Sequence, residues 1–411
     1  MLPEKRSWGF ASELPDTNPD MHREGVWIVR KVIVIGVGMT RFGKFPELTV
    51  EQLGREATWA ALKDAGIHPQ DIEVAYVGNL TECKATGHVS CVAQEILRGV
   101  GIRGIPTTRV ENACCSGSTA FREAWMAVGS GLYDMALALG VEKLTGQGSG
   151  QLTRSGTTIE GLAGFAPPGM WAMRALRHMA EFGTTLEQMA QVAIKNRKNG
   201  LANPRAQYPK AVTVEEVRNA PMISYPLTLL DSCPTTDGAA AAIVCSEAVA
   251  RRYTAKLIQV AAAVLKTGTY ESQRNIAVNE IERRASQEAY ERAGVGPEEL
   301  DLAEVHDCFT IAEIVRTENL GFCKEGEGGR LVEEGATQLG GRLPVNPSGG
   351  LLSKGHPIGA TGVAQVAELV WQLRGEAGAR QVHDAKVGLA HCSGGFIAQD
   401  TGASTVIILK R

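Results

Sequence analysis

The sequence predicts an α/β protein built from two similar halves, each a mostly parallel sheet covered by helices. Three observations carry that expectation. First, one segment recurs. Ala57, Ala61, Ala65, Gly66, Pro69, Asp71, Ile72, Ala75 and Val77 return as Ala285, Ala289, Ala293, Gly294, Pro297, Glu299, Leu300, Ala303 and Val305, at a constant shift of 228 positions (285 − 57) with no gap. Second, each copy reads as an alanine-faced helix, a glycine stop, a proline turn, an acidic residue and a strand, and glycine is the usual residue just past a helix end. Third, the apolar run Val32-Ile33-Val34-Ile35 is followed by a glycine-rich turn and then by helical spacing at Leu53, Ala57, Ala60, Ala61 and Ala65, the β–turn–α order of such units. Helix–turn–strand connectors do converge, but nine matches in one register favour a duplication.

A chain of 411 residues suggests two or three domains at roughly 100–200 residues each. The expected division is an N-terminal arm over residues 1–26, an N-terminal half over 27–254 and a C-terminal half over 255–411. The first half is longer by an insertion at about 145–225. Helical stretches run there from Met170 to Phe182 and from Thr185 to Asn199, with basic residues Arg174, Arg177, Lys195, Arg197 and Lys198. A long insertion on a duplicated scaffold is more often functional than idle; a solvated helical cap is the plainer alternative.

The net charge of −3 gives no basic surplus for nucleic-acid binding. Nine cysteines are present, with no CxxC pair, so neither a disulfide framework nor a metal cluster is expected. The first 26 residues are polar rather than a secretory signal. No apolar run reaches the roughly 18–20 residues that span a bilayer, and the terminal Leu409-Lys410-Arg411 is not a peroxisomal SKL signal. A cytoplasmic enzyme is the expectation.

Four segments carry chemistry. In Val110-Glu111-Asn112-Ala113-Cys114-Cys115-Ser116-Gly117 a strand ends and a helix begins. Cys114 thus sits at a helix N-terminus, where free N–H groups and the helix dipole favour a thiolate; Cys115 is expected to be packing. In Asn346-Pro347-Ser348-Gly349-Gly350 and Gly355-His356-Pro357-Ile358-Gly359-Ala360-Thr361-Gly362, His356 precedes a second helix. There an imidazole can accept a thiol proton and stabilise an oxyanion. His306-Asp307-Cys308-Phe309 follows the second copy's strand, and active groups gather at the carboxyl ends of strands in α/β sheets. Leu389-Ala390-His391-Cys392-Ser393-Gly394-Gly395 also follows a strand-like run, and its glycines can bring backbone N–H groups close to a substrate oxygen.

These segments resemble the thiolase superfamily, in particular the branch of sterol-carrier-protein thiolases and their bacterial and archaeal relatives. The resemblance spans roughly residues 28–411. It rests on CxSG at 114–117, DGAAAAIV at 237–244, HDCF at 306–309, NPSGG at 346–350 and GHPxGATG at 355–362. It implies a duplicated five-layer αβαβα fold, with the insertion forming a helical loop domain over a thioester site. It also implies at least a homodimer. Cys114 would take the acyl group and His356 would activate it. His306 would orient a water or contact the thioester oxygen. Cys308 would move the proton at the substrate's α-carbon. Many thiolases keep that second cysteine in a C-terminal CxG motif instead, and this chain also has Cys392 in Cys-Ser-Gly; Cys308 is favoured because the C-terminal third reads like the HDCF branch, with Cys392 the alternative. The backbone N–H groups of Cys114, Gly394 and Gly395, with His356, would form the oxyanion sites.

The expected reaction is CoA-dependent cleavage of a 3-oxoacyl-CoA, or the reverse Claisen condensation, through a Cys114 acyl-enzyme. Coenzyme A would be a substrate, with no permanently bound cofactor and no metal. Retro-aldol cleavage of a β-hydroxyacyl-CoA and a non-catalytic subunit are the alternatives. Relatives associate with a small zinc-ribbon/OB-fold (DUF35-type) protein, which makes such a partner an expectation here. Met170, Trp171, Met173 and Met179 either line a pocket for a bulky acyl group, such as an aroylsuccinyl group in aromatic-acid degradation, or pack a core helix.

Overall fold

The repeated connector forms the same structure twice. Helix Val50–Ala65 starts at Thr49, whose hydroxyl accepts from the Gln52 N–H while the Gln52 side chain accepts from the Thr49 N–H, and it stops at Gly66 with φ +68°. Helix Glu280–Ala293 stops at Gly294 with φ +62°. A 3-10 turn follows each, Pro69–Asp71 and Pro297–Glu299, and then a strand. The computed structural model describes residues 30–81, 90–146, 159–164, 166–270, 275–397 and 400–411. The expected arm over 1–26 lies outside them.

The strands are β1 (Val32–Met39), β2 (Val74–Gly78), β3 (Thr107–Val110), β4 (Met135–Glu142), the short pair β5 (Met222–Ser224) and β6 (Leu227–Thr228), β7 (Gly238–Ser246), β8 (Ile258–Thr267), β9 (Leu302–Glu304), β10 (Val387–Ile397) and β11 (Asp400–Lys410). Nine of them join in the order β3-β2-β4-β7-β1-β8-β11-β10-β9. The two halves meet at β1 and β8 through only Ile33↔Gln259 and Val34↔Ile258.

The mostly parallel sheets expected from the sequence are mixed instead. β2 runs parallel to β3 and β4, and β9 to β10. The pairings β4–β7, β7–β1, β8–β11 and β10–β11 are antiparallel. Strand direction is hidden in the sequence because strands covered on both faces read as unbroken apolar runs. β7 is buried at every position.

Alternation along the strands builds five layers. Val32 and Val34 of β1 face one cluster, while Ile33 and Ile35 face another. The first cluster holds helices Ser116–Gly129 and Thr361–Arg374 between strands of both halves, including Ala240 and Val260. Helices Val50–Ala65 and Val92–Val100 cover the outside of the first half, and Glu280–Ala293 covers the second through Ala285 and Ala289. The central helices begin in near backbone contact. A Cβ on Gly117 would lie 2.4 Å from the Gly359 carbonyl oxygen, and one on Gly359 would lie 2.6 Å from that of Val141. That approach needs glycine, and it draws the two chemistry-bearing loops together.

Within 145–225, the described helices are Ile159–Leu162, Pro167–Phe182, Leu186–Leu201 and Val214–Asn219. Arg174, Lys195 and Arg197 are buried rather than solvated. Lys195 pairs with Glu313 at 2.9 Å, and the Asn199 and Asn203 amides donate to the Asn346 and Ser348 carbonyls at 3.0 and 2.8 Å. These helices are thereby anchored on the second half. Met170 and Trp171 are buried, and Met173 is exposed. No described helix is long and apolar enough to cross a membrane.

Candidate active site

Cys114 sits on a tight turn between β3 and helix Ser116–Gly129. Ala113 takes a left-handed φ of +49°, an uncommon conformation for a residue with a Cβ. The turn is held by local bonds: the Ser116 hydroxyl accepts from the Asn112 N–H at 3.0 Å and donates to the Ala113 carbonyl at 2.6 Å, and the Glu111 carboxylate accepts from the Ala113 N–H at 2.7 Å. Cys115 is packing, as expected: it is fully buried and its thiol donates to the Cys392 carbonyl at 3.0 Å. Gly394 of β10 presses on the turn so closely that a Cβ there would lie 2.5 Å from the Cys114 amide nitrogen. Gly395, with φ +72°, is the next residue along.

His356 and His306 come to the same point from the second half. One donor atom each from Cys114, His306 and His356 lies within 4.8 Å of the other two. The two rings meet edge to face with centroids 4.9 Å apart. Thr361 lies one turn into the loop–helix junction and fixes the His356 tautomer. Its hydroxyl donates to the Pro357 carbonyl at 3.1 Å, so it accepts from Nδ1–H of His356 at 2.7 Å. Nε2 is left as the basic nitrogen, an assignment made from the hydrogen-bond network. The Thr236 hydroxyl accepts from the His356 backbone N–H at 3.0 Å. Three such donors also meet the spacing of a soft metal site.

The two candidate proton carriers occupy different surroundings. The Cys392 sulfur lies 3.2 Å from Nδ1 of His306 and donates to the Cys114 carbonyl at 3.0 Å. Cys308 is 8% exposed and packs with Trp171 and Phe309 in an apolar cluster that also receives Cys233 and Phe396. Its backbone carbonyl accepts from the Cys233 N–H at 2.9 Å.

Burial governs the electrostatics, and it overturns one expectation. The helix N-terminus was expected to lower the Cys114 thiol. Loss of water contact, with the thiols of Cys392 and Cys308 beside it, instead pushes that thiol well above its ordinary value. Desolvation of a thiolate outweighs a dipole equivalent to about half a charge. Burial likewise raises Cys308 to about 12 and Cys392 well above the usual range. It lowers His356 to about 3 and His306 well below 6.5, where a proton on His306 would also face His356 and the Arg316 guanidinium. The resting site is therefore a neutral thiol beside neutral imidazoles. Alkylation of Cys114 by iodoacetamide, followed on its own peptide, should rise about tenfold per pH unit between about pH 6 and 9. A plateau near neutral pH would mean a lowered thiol and contradict this.

Four contributors are not singled out by the sequence patterns above, although Asp307 stands within HDCF. Glu142, at the end of β4, accepts from the Gly359 N–H at 2.9 Å and from Leu80, Thr81 and Asn79, so it pins the histidine loop to the first half. Asp307 accepts from the Leu351 and Leu352 N–H groups at 2.7 and 3.3 Å. Arg316, 2% exposed, pairs with Glu282 at 3.4 Å and faces the Trp171 ring. Cys233 lies within electrostatic reach of Cys114 and Cys308. A charged residue ending a buried strand is the one sequence signal that could have found Glu142. Two surface concavities of about 390 and 370 Å³ are lined by none of the candidate residues.

Comparison with known proteins identifies the family. The thiolase N-terminal domain matches residues 32–248 and the thiolase C-terminal domain-like family matches residues 262–411. The chain is 45% identical over 374 residues to acetyl-CoA acetyltransferase of Methanothermobacter thermautotrophicus, covering 89% of this chain and 97% of that one. It is 39% identical over 374 residues to benzoylsuccinyl-CoA thiolase subunit BbsB of Thauera aromatica, covering 89% and 95%. It is 38% identical over 386 residues to human sterol carrier protein 2, covering 88% and 70%. Among solved structures, the Ltp2-ChsH2(DUF35) aldolase superposes with a TM-score of 0.79 at 27% identity, covering 92% of this chain and 98% of that one. With both family domains matched along the chain and a thiol–imidazole cluster where their halves meet, this protein belongs to the thiolase family of acyltransferases.

Proposed function

We propose that this thiolase cleaves a 3-oxoacyl-CoA with coenzyme A through an acyl group on Cys114, or runs the reverse condensation. The observation that carries the proposal is the grouping of Cys114, His306 and His356 within 4.8 Å, with Nε2 of His356 left as a base. Cys114 attacks the 3-oxo carbon as its proton passes to His356. The C2–C3 bond breaks, and the electron pair goes to C2 of the departing acyl-CoA enolate. Cys308 protonates C2 and becomes a thiolate. The incoming CoA thiol gives its proton to Cys308, and its sulfur takes the acyl group. His356 then returns the first proton to Cys114. A thiol held up to about 12 keeps its proton at neutral pH, which suits an acid that must meet a carbanion. The resting neutral state of His356 suits a base that must be empty when substrate arrives.

Two oxyanions arise, one on the 3-oxo carbon and one on the enolate, and each wants preorganised donors. We assign the first to the N–H groups of Cys114, Gly394 and Gly395, and the second to His306 and His356. The close packing of Gly394 on the Cys114 amide supports the first assignment. The insertion over about 145–225 would form the wall through which the thioester enters, and residues 27–254 and 255–411 would be the two halves.

A homodimer with a second, DUF35-type subunit is the assembly we propose. β3 ends the sheet with partly exposed residues, an edge that a second copy can extend. One relative is named as a subunit, and the aldolase structure pairs its thiolase-like chain with a DUF35 protein. That aldolase also favours a second reading, retro-aldol cleavage. The products separate the two. Thiolysis consumes one CoA and yields two acyl-CoA esters. Retro-aldol cleavage consumes none and releases an aldehyde or ketone. Chromatography of the products from 3-oxo and 3-hydroxy esters is the test, and cleavage without CoA would sink the thiolase proposal.

A further inference from the structure

Beside the Cys308 thiol lies a buried cation with no counter-ion in contact among the described residues. Arg174 is 2% exposed. Its guanidinium lies over the rings of Trp171 and Phe396, 4.8 and 5.1 Å from their centroids. Among the described residues its Nε has no hydrogen-bond partner, and no carboxylate is within ion-pair distance of it. Two acids lie in its electrostatic reach, and both are occupied elsewhere. Glu282 pairs with Arg316 and accepts from Asn279, Asn319 and Ser393. Asp400 accepts the backbone N–H groups of Thr269, Tyr270 and Thr401.

Arg316 presents a second guanidinium to the same Trp171 ring at 4.8 Å. The charges of both arginines are felt at the Cys308 thiol. Two buried guanidiniums thus converge on the aromatic cluster beside the residue that would handle the substrate's α-carbon. A guanidinium in a dry site normally meets a carboxylate or phosphate in a forked, charge-assisted bond. Left without one, it bears the desolvation cost uncompensated. Stacking on rings offsets part of that cost and leaves the in-plane N–H groups unmet.

We propose that Arg174, with Arg316 across Trp171, receives a carboxylate carried on the acyl part of the thioester, so that the substrates of this enzyme are CoA esters of dicarboxylic, succinyl- or glutaryl-type acids. This rests on the thiolase reading above for the position of the acyl group, and its test does not require turnover. Titration calorimetry on the full-length protein would compare succinyl-CoA with pentanoyl-CoA, and glutaryl-CoA with hexanoyl-CoA. Tighter binding of the carboxylated member of at least one pair, by about tenfold or more, is the expected result. The preferred pair reports the reach of the carboxylate. Equal affinities within both pairs would overturn the proposal and leave Arg174 a packing residue.

Arg174→Met should bring the preferred ratio down to near one. Arg174→Lys, which keeps the charge and loses the fork, should retain only part of it. A preference that survives in a folded Arg174→Met protein would refute the assignment to this residue. Thiolysis measured on the same preparations reports separately on the reaction. Its absence beside an intact carboxylate preference would remove the proposed chemistry and leave the receptor standing.

Discussion

Cys114→Ala is expected to lower CoA-dependent cleavage by roughly 10⁴-fold or more, the scale on which enzymes lose a covalent nucleophile. Among the described residues no neighbouring thiol stands ready to replace it. Cys115 points away and donates to the Cys392 carbonyl, while Cys392 is bound to the Cys114 carbonyl and His306. Cys308 and Cys233 belong to the aromatic cluster. The substitution removes one sulfur from a partly buried turn whose shape is set by Ser116, Asn112 and Glu111, so the fold should persist. The thermal midpoint would check that. Turnover within about tenfold of the parent would mean that no acyl group passes through residue 114.

The second large effect separates the two remaining thiols. Cys308→Ala is expected to slow exchange of the α-protons of acetyl-CoA with deuterated water by about 10²–10⁴-fold, the usual contribution of a positioned acid or base. The Cys308 thiol lies among the aromatic residues and has no hydrogen-bond partner among the described residues, so it is free to meet the α-carbon. Cys392 is committed to a chain from His306 to the Cys114 carbonyl. Cys392→Ala should therefore act through the placement of Cys114 and leave exchange within about tenfold of the parent. The opposite ranking would transfer the proton-carrying role to Cys392.

Much of the architecture could be read in advance because its signals are local. The helix–glycine–proline–strand repeat names its own caps and stops, and Gly66 and Gly294 take the left-handed conformation that a helix stop uses. Cys114 and His356 were legible for a similar reason, since each sits in a glycine-rich loop before an apolar helix. What stayed hidden depends on contacts across the chain. The direction of β7 and β11 leaves no mark in strands that are buried on both faces. The rise of the Cys114 thiol follows from how much water the second half excludes, which the helix terminus at 116 does not reveal. Glu142 becomes important only when Gly359 folds down upon it. Arg174 reads from spacing as one basic residue of a solvated cap, and only packing shows it to be enclosed by Trp171 and Phe396.

Intact-protein and peptide mass spectrometry after brief mixing with a 3-oxoacyl-CoA, without added CoA, tests the covalent step most directly. The expected result is a mass increase of one acyl group, confined to the peptide that carries Cys114, lost on addition of CoA and absent from Cys114→Ala. An acyl group on another cysteine, or cleavage that proceeds with no acylated protein at any time, would contradict acyl transfer through Cys114.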